Sequence, residues 1–203
     1  SQDRRARLIR IDLGSGRLQQ ELPLPQAWRA TPGQGLGSNK GPESLTALAP
    51  GDLLLAAEAP LLQHQAGDGI SLMRRVPGDA LRAAGALDVG AAGRHDGLTE
   101  LLALPSRQQL LGLRRGVTPP GQWAARLPLF ALPDPQGPPL QPIIGWDLLE
   151  AGLPPDNWEA MALGPVLSDG RQTLVLASDD NFNPLQSNWI VVLSPRRTTA
   201  CTD

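Results

Sequence analysis

Turn-forming residues divide this chain into short segments, and that division constrains the fold more than any other feature. Glycine (22) and proline (21) make up 43 of the 203 residues, about a fifth, against a usual share of roughly 12%. Between the turns, apolar and polar residues alternate, as in Arg7–Asp12 ahead of the turn at residues 14–16. A period of two is typical of a strand with one buried face. We therefore expect an all-β protein built from short strands.

The same pattern predicts strands in eight further segments, residues 17–22, 53–58, 70–76, 98–104, 109–114, 158–163, 172–178 and 189–193. Residues 80–92 could form a short helix, although Gly85 and Gly90 disfavour it, and residues 147–151 could form a single helical turn. Proline-rich segments at 118–120, 133–139 and 154–155 separate the groups of strands. We interpret them as loops within a single domain, residues 1–203.

A repeat emerges among the predicted strands. Three segments share the form Glu, any residue, Leu or Met, Ala or Thr, Ala or Leu, and they start at Glu43, Glu100 and Glu159, 57 and 59 residues apart. Short strands that recur with polar residues at fixed offsets are typical of β-propeller blades. We expect a β-propeller-like fold, with either a full ring or an incomplete, shortened one. A β-sandwich with three similar hairpins is the alternative at this point.

In a propeller, equivalent inner-strand residues converge on the central channel, so the repeated glutamates would meet there. Gathered carboxylates repel one another unless a cation, a proton or an arginine offsets their charge. Oxygen-rich clusters suit Ca²⁺, which makes calcium the expected cofactor. The candidate metal ligands are Glu43, Glu100, Glu159, Asp179 and Asp180.

The same crowding could instead raise the pKa of one carboxyl and equip it for acid–base catalysis. The candidate catalytic residues are Glu43, Glu159 and Asp179. A structural role is the alternative, in which each glutamate caps the start of a strand or pairs with an arginine. The alternative for Asp179 and Asp180 is a structural one, because their segment is also typical of Asx turns, in which Asp and Asn side chains bond to the backbone of their own turn.

Two cations accompany these acids. Lys40, the single lysine of the chain, precedes Glu43, and Arg114 ends a predicted strand. Either side chain could hold the phosphate or carboxylate group of a substrate. A solvated lysine with no specific role is the alternative for Lys40.

Several classes of function are excluded or disfavoured. A net charge of −2 creates no field that would attract nucleic acid. With one cysteine, Cys201, the chain can form neither an internal disulfide nor a cysteine metal site. No apolar run reaches the ~18 residues of a membrane helix, and no nucleophile elbow, P-loop or dinucleotide fingerprint occurs. The two histidines, His64 and His95, lack metal-ligand spacing. The expected partner is a small molecule.

Four segments resemble one known family. Asn39–Leu45 (NKGPESL) resembles the "NKGxEGL" signature of the phytase-like family, titled esterase-like activity of phytase, and Asp156–Pro165 resembles the same signature. Leu176–Phe182 (LASDDNF) is similar to the closing "LVSDDNF" block of that family. Leu98–Leu104, with Arg114 at the end of the next strand, is similar to its middle block. The resemblance spans about residues 7 to 194.

This resemblance implies a β-propeller, exported to the periplasm or secreted by a bacterium, that hydrolyses phosphate or carboxylic esters. Within it, Glu43, Glu159 and Asp179 would be the catalytic acids, and Lys40 or Arg114 would hold the anionic group of the substrate. The family's usual opening segment has no counterpart upstream of these blocks, so we expect a domain without it. A non-catalytic exported propeller that binds a ligand or partner is the alternative, and a truncated, non-functional relative is a weaker one.

The chain departs from the signature at two positions. Ser44 and Ala160 stand where the family has glycine after the glutamate. Because a side chain at these sites needs space that glycine does not, altered packing next to Glu43 and Glu159 is expected.

Overall fold

The computed structural model describes residues 6–65, 67–90 and 96–196, and His95 and Cys201 lie outside these ranges. The described chain is nearly all strand, in agreement with the prediction of an all-β protein. Its strands are β1 (Arg7–Ile11), β2 (Leu18–Pro23), β3 (Pro42–Ala49), β4 (Asp52–Ala57), β5 (Ile70–Arg75), β6 (Arg82–Leu87), β7 (Gly97–Leu104), β8 (Gln109–Thr118), β9 (Gln122–Ala131), β10 (Ile144–Asp147), β11 (Trp158–Val166), β12 (Gln172–Ser178) and β13 (Ile190–Leu193). Two single-turn 3₁₀ segments, Gln26–Trp28 and Pro105–Arg107, complete the regular structure of these ranges. None of the described helices has the length and hydropathy needed to cross a membrane.

The strands form three antiparallel meanders and one hairpin. Blade A has the order β3-β4-β5-β6, blade B the order β7-β8-β9-β10, and blade C the order β11-β12-β13. Strands β1 and β2 pair with each other as a separate hairpin. Each of the nine strands predicted from the period of two is therefore present, and each blade begins with one of the three repeated segments.

Side-chain hydroxyls join the first strands of neighbouring blades. The backbone N–H of Ala103 in β7 donates to Thr46 Oγ1 in β3 over 2.9 Å. The hydroxyl of Thr99, also in β7, donates to the carbonyl oxygen of Trp158 in β11 over 3.0 Å. The first strands therefore lie side by side as the inner strands of a propeller-like fold, which confirms the predicted fold class. No closed barrel forms in the described ranges.

Two apolar clusters fill the spaces between the blades. The first, between blades A and B, includes the fully buried side chains of Trp28, Leu98 and Phe130. The second, between blades B and C, surrounds Trp158 and includes Leu113. Because burial of apolar area drives association, these clusters set the angle between blades and hence the position of the inner strands.

The structure corrects one local prediction. The helix considered for residues 80–92 is wrong where the chain is described, because residues 82–87 form β6, paired with β5. Gly85 adopts a φ of +91°, and a Cβ there would lie 2.8 Å from the carbonyl oxygen of Asp134. This close backbone contact requires glycine and suits a strand packed under a loop. Residues 147–151 form one turn, in which Ala151 N–H donates to the Asp147 carbonyl over 3.1 Å.

Candidate active site at the start of the inner strands

Five charged side chains meet near the starts of inner strands β3 and β11. Burial raises the pKa of the Glu43 carboxyl, the Glu58 and Glu159 carboxylates raise it further, and Arg115 and Lys40 lower it. Salt screens such interactions beyond about 10 Å, so the four charged groups lie within roughly that distance of the Glu43 carboxyl. We call these residues, Glu43, Glu58, Glu159, Lys40 and Arg115, the carboxylate cluster.

Two of the three acids have a cation of their own. Lys40 Nζ donates to Glu58 Oε1 over 2.6 Å, and the Glu58 side chain is only 6% exposed. Arg115 Nη2 donates to Glu159 Oε1 over 2.7 Å. Within the described ranges, the Glu43 carboxylate has no hydrogen bond or ion pair. Glu43 thus combines a raised pKa with the lack of a partner in those ranges, and its side chain is exposed to solvent.

Glu58 reaches the cluster because the chain turns at the end of β4. Its backbone N–H donates to the Gly41 carbonyl over 3.0 Å, and its carbonyl accepts the Leu98 N–H over 2.8 Å. A Cβ on Gly97 would lie 2.6 Å from Glu58 Cγ and would overlap the carboxyl group. Glycine at position 97 therefore makes the space in which the Glu58–Lys40 pair is buried.

A related contact places Asp179 in blade C. The Asp179 N–H donates to the Asn157 carbonyl over 3.0 Å, just as the Glu58 N–H donates to Gly41. Gly41 and Asn157 both stand two residues before a repeated glutamate, so Asp179 corresponds to Glu58. The Asn157 side-chain amide also donates to Glu159 Oε1 over 2.8 Å. Asn157 thereby connects the turn that carries Asp179 to the carboxylate cluster.

The carboxylates of Asp179 and Asp180 bond to their own turn. Asp179 Oδ1 accepts the Asn181 N–H over 3.1 Å, and Asp180 Oδ1 accepts the Phe182 N–H over 2.9 Å. Asp180 Oδ2 also accepts from the Asn188 amide over 2.9 Å. These are Asx-type contacts, which explain the acidic turn without a metal.

Glu100, the repeated glutamate of blade B, is held apart from the other two. Its Oε1 accepts the N–H of Leu101 over 2.9 Å. Burial raises the pKa of Glu100 and the Leu101 N–H lowers it, while no other carboxylate contributes to the shift. The structure therefore brings Glu43 and Glu159 together but leaves Glu100 outside the carboxylate cluster.

Of two adjacent arginines in β8, only the second reaches the cluster. Arg114 donates to Asp96 Oδ2 over 2.6 Å and to the Val89 carbonyl over 2.5 Å. Successive side chains of a strand point to opposite faces, and Arg115 accordingly reaches Glu159. Sequence reasoning missed Arg115, although the alternation of β8 was the signal that could have distinguished the two arginines.

The expected calcium ligands do not form one ligand set. Among the residues that the structure describes, no group of three or more His, Cys, Asp or Glu side chains could hold a metal ion. Lys40 and Arg115 supply the positive charge that the crowded carboxylates need, and Glu100 and Asp180 bond elsewhere. In this arrangement the cations Lys40 and Arg115 offset the charge of Glu58 and Glu159, and the expectation of calcium stays a prediction.

The sequence was compared with known protein families and with curated proteins. Residues 1–182 match the family described as "Phytase-like: Esterase-like activity of phytase". None of the curated proteins matches the chain. The matched region includes the whole carboxylate cluster and both acids of the turn at Asp179 and Asp180.

Proposed function

The chain belongs to the phytase-like family, and from this membership we propose that it is an ester hydrolase whose catalytic centre is the carboxylate cluster. Membership supports a hydrolase-related function in general. The substrate class, phosphate or carboxylic esters, and the roles of individual residues are our proposal. The observation that carries it is Glu43, an acid with a raised pKa and no partner among the described residues, held between two acid–cation pairs.

Glu43 is the proposed general base. A carboxylate with a raised pKa is a stronger base than an ordinary glutamate, and proton transfer is most effective when the pKa of the base approaches the working pH. Its neighbours Glu58 and Glu159 maintain this shift through their charge. Because each is bonded to a cation, neither is free to take the same role.

Lys40 and Arg115 are the proposed electrostatic groups. The Lys40 ammonium has three N–H donors, one of which goes to Glu58, and Arg115 donates through Nη2 to Glu159. The remaining donors can bind the anionic or carbonyl oxygens of an ester. Fixed donors that stabilise charge developing in the transition state are usually a large part of enzymatic rate enhancement.

The proposed reaction is attack by water. The water oxygen bonds to the phosphorus or carbonyl carbon while Glu43 takes a water proton. The bond to the leaving oxygen breaks, and Glu43 returns the proton to that oxygen. Water is thus added across the ester bond, and the protein returns to its initial state. Asp179 is proposed to position Asn157 and, through it, Glu159.

Three earlier expectations remain predictions. Substrate binding by Arg114 is one. The guanidinium of Arg114 is bonded to Asp96 and to the Val89 carbonyl, and the proposed reaction does not use it. The requirement for calcium is another, and the reaction proposed above uses only residues of the chain. Export from the cell, which the family resemblance implies, is the third.

Steady-state hydrolysis of 4-nitrophenyl phosphate and 4-nitrophenyl acetate tests the proposal. We expect turnover of at least one ester, unchanged by EDTA. Glu43→Gln should lower kcat by roughly 100-fold or more, as expected for the loss of a general base. Glu150→Gln, an exposed glutamate in the turn after β10, is the matched control and should retain full activity.

Two results would contradict the proposal. Absence of turnover of both esters, with and without added calcium, would exclude the hydrolase activity. Activity that EDTA abolishes and calcium restores would show that the mechanism needs a metal, contrary to the charge compensation described above.

A non-catalytic binding role is the second candidate function. It is favoured by the pairing of Glu58 and Glu159 with cations, since strand-anchoring acids would bond in this way. On this view Glu159→Gln lowers the melting temperature and no variant changes the rate of ester hydrolysis. Measurement of kcat and melting temperature on the same preparations distinguishes the two functions.

A further inference from the structure

A cavity of about 830 Å³ opens beside the carboxylate cluster. It lies between the β1–β2 hairpin, the 3₁₀ segment Gln26–Trp28 and the loop at residues 36–41. Lys40 and Gly41 line it, and Glu43 Oε1 lies 3.7 Å from where a Cβ on Gly41 would stand. The cavity is therefore contiguous with the cluster, and its volume falls in the range of roughly 300–1,000 Å³ typical of small-molecule sites.

Three cations line the cavity wall. Arg7, Arg29 and Lys40 line it, together with the carboxylate of Glu21. Arg7 Nε is 3.6 Å from Glu21 Oε1, and both side chains are about half exposed, so this pair is weak. Arg29 Nε donates to the Leu24 carbonyl over 3.4 Å, and no carboxylate of the described residues pairs with its guanidinium. With Arg7 near Glu21 and Lys40 bonded to Glu58, Arg29 is the lining cation that remains to attract a negatively charged group of a ligand.

The opposite wall is apolar and contains an unsatisfied donor. Trp28, Leu24 and Leu36 line this side, and the Trp28 side chain is fully buried. Its indole Nε1–H has no hydrogen-bond partner within the described ranges. Buried donors are almost always paired, and an unpaired one carries a free-energy cost. Because this nitrogen is itself shielded from solvent, it is a cost to the fold and not a donor that a ligand in the open cavity reaches.

We infer that this cavity binds the body of the ester substrate and selects an anionic compound with an apolar ring or chain. The anionic group contacts Arg29 and Lys40, and the apolar part packs against Pro23 and Ala30, which line the cavity and are exposed. When the substrate is bound there, its scissile ester bond lies past Gly41, on the side of Glu43. The identification of the ligand as a substrate rests on the proposed function, whereas binding of such an anion by the cavity does not.

Calorimetric titration with two probes that have no hydrolysable bond tests the inference. 2-Naphthalenesulfonate combines an anionic group with an apolar ring, and 2-naphthalenemethanol has the same ring without the charge. We expect the sulfonate to bind at least roughly tenfold more tightly, the effect of one charge-assisted hydrogen bond. Equal affinity of the two probes would overturn the inferred selectivity.

Variants locate the binding site. Arg29→Gln should weaken binding of the sulfonate roughly tenfold, whereas Arg82→Gln, an exposed arginine of β6 outside the cavity, should not. Ser38→Trp places a large ring at an exposed lining position and should block both probes, with Ser168→Trp as the matched control. Sulfonate binding that survives both Arg29→Gln and Ser38→Trp would overturn the assignment to this cavity.

The experiment separates the cavity from the hydrolase activity. Selective sulfonate binding that Ser38→Trp blocks, in a protein that turns over neither nitrophenyl ester, supports the cavity and contradicts the proposed function. Turnover that Ser38→Trp leaves unchanged supports the proposed function and overturns the inference about the substrate.

Discussion

The Thr46 hydroxyl oxygen in blade A accepts the backbone N–H of Ala103 in blade B over 2.9 Å. Both residues stand three positions after a repeated glutamate, so the bond joins equivalent sites of the first and second repeats. The Thr99 hydroxyl joins the second repeat to the third in the same way, at Trp158. The repeat seen in the sequence thus corresponds to direct contacts between inner strands, and these contacts fix the distance between neighbouring blades.

Thr46→Val should destabilise the protein by about 1–3 kcal/mol, because it leaves the buried Ala103 N–H without an acceptor. Valine keeps the shape of threonine, so the effect reports the hydrogen bond. Urea unfolding measures it, with Thr118→Val at an exposed strand end as the control. A loss no greater than that of the control would show that the blades are held by apolar packing alone.

Gly97→Ala should destabilise the fold by roughly 1–3 kcal/mol through overpacking, because the new Cβ overlaps the Glu58 carboxyl. Displacement of Glu58 would also weaken its bond to Lys40. Gly145→Ala is the matched control, a strand glycine whose Cβ would meet its nearest neighbour at an ordinary 3.8 Å. Comparable melting temperatures for the two variants would contradict the steric role of position 97.

Glu43→Gln should leave stability at pH 7 equal to or above that of the wild type. Because folding raises the pKa of Glu43, the folded state binds this proton more tightly than the unfolded state does. The stability from that proton is fully present below the ordinary glutamate pKa and is lost as the pH rises through the folded-state pKa. Glutamine removes the free-energy cost of holding the charged carboxylate in the folded state. Any gain in the stability of the variant should therefore vanish at acidic pH, where the wild-type carboxyl is protonated.

Thermal unfolding from pH 3 to pH 8 measures this difference, with Glu150→Gln as the control that should show none. A strand-capping role of Glu43 predicts the opposite. The variant would then be less stable than the wild type at pH 7, where the carboxylate is charged.

Asp156→Ala should destabilise the closing turn of blade C. The Asp156 side chain is buried, and its oxygens accept the N–H groups of Asn157 at 2.8 Å and Ser187 at 3.0 Å and the indole N–H of Trp189 at 3.1 Å. Loss of a buried charged acceptor should cost about 2–4 kcal/mol. Urea unfolding measures the change against Asp134→Ala, at an exposed loop aspartate. Equal midpoints for the two variants would show that the turn does not depend on Asp156.

The local predictions succeeded where the pattern was short-range. Period-two segments identified both strands of the β1–β2 hairpin, β4 and β5 of blade A, β7 and β8 of blade B, and all three strands of blade C, while the repeat marked β3. They failed for β6, where Gly85 and a run of alanines favour no particular structure and pairing with β5 decides the conformation. Strands β9 and β10 were missed because Pro128 within β9 and Gly145 within β10 disfavour a strand on sequence alone, and pairing with β8 and with each other decides their conformation.

The same distinction between local pattern and long-range contact applies to the residues of the site. Sequence alone marked Glu43, Glu159 and Lys40, because the repeat and the signature place them at equivalent or adjacent positions. Whether their charges meet depends on the angle between blades, which apolar clusters far along the chain set. That angle brings Arg115 and Glu159 to Glu43. Glu58 reaches Glu43 within blade A, through the pairing of β3 with β4, and local bonds leave Glu100 apart.

The sequence by itself determined that the chain is all-β, that it repeats, and to which family it belongs, because alternation and turn residues act over a few neighbouring positions. Only the tertiary structure decided which acids lie close enough to shift one another's pKa and which arginine bonds to them. It also decided that a cavity lined by Arg29 opens beside Lys40. Electrostatic interactions depend on distance in space, and the fold brings together charges that lie more than a hundred residues apart in the chain.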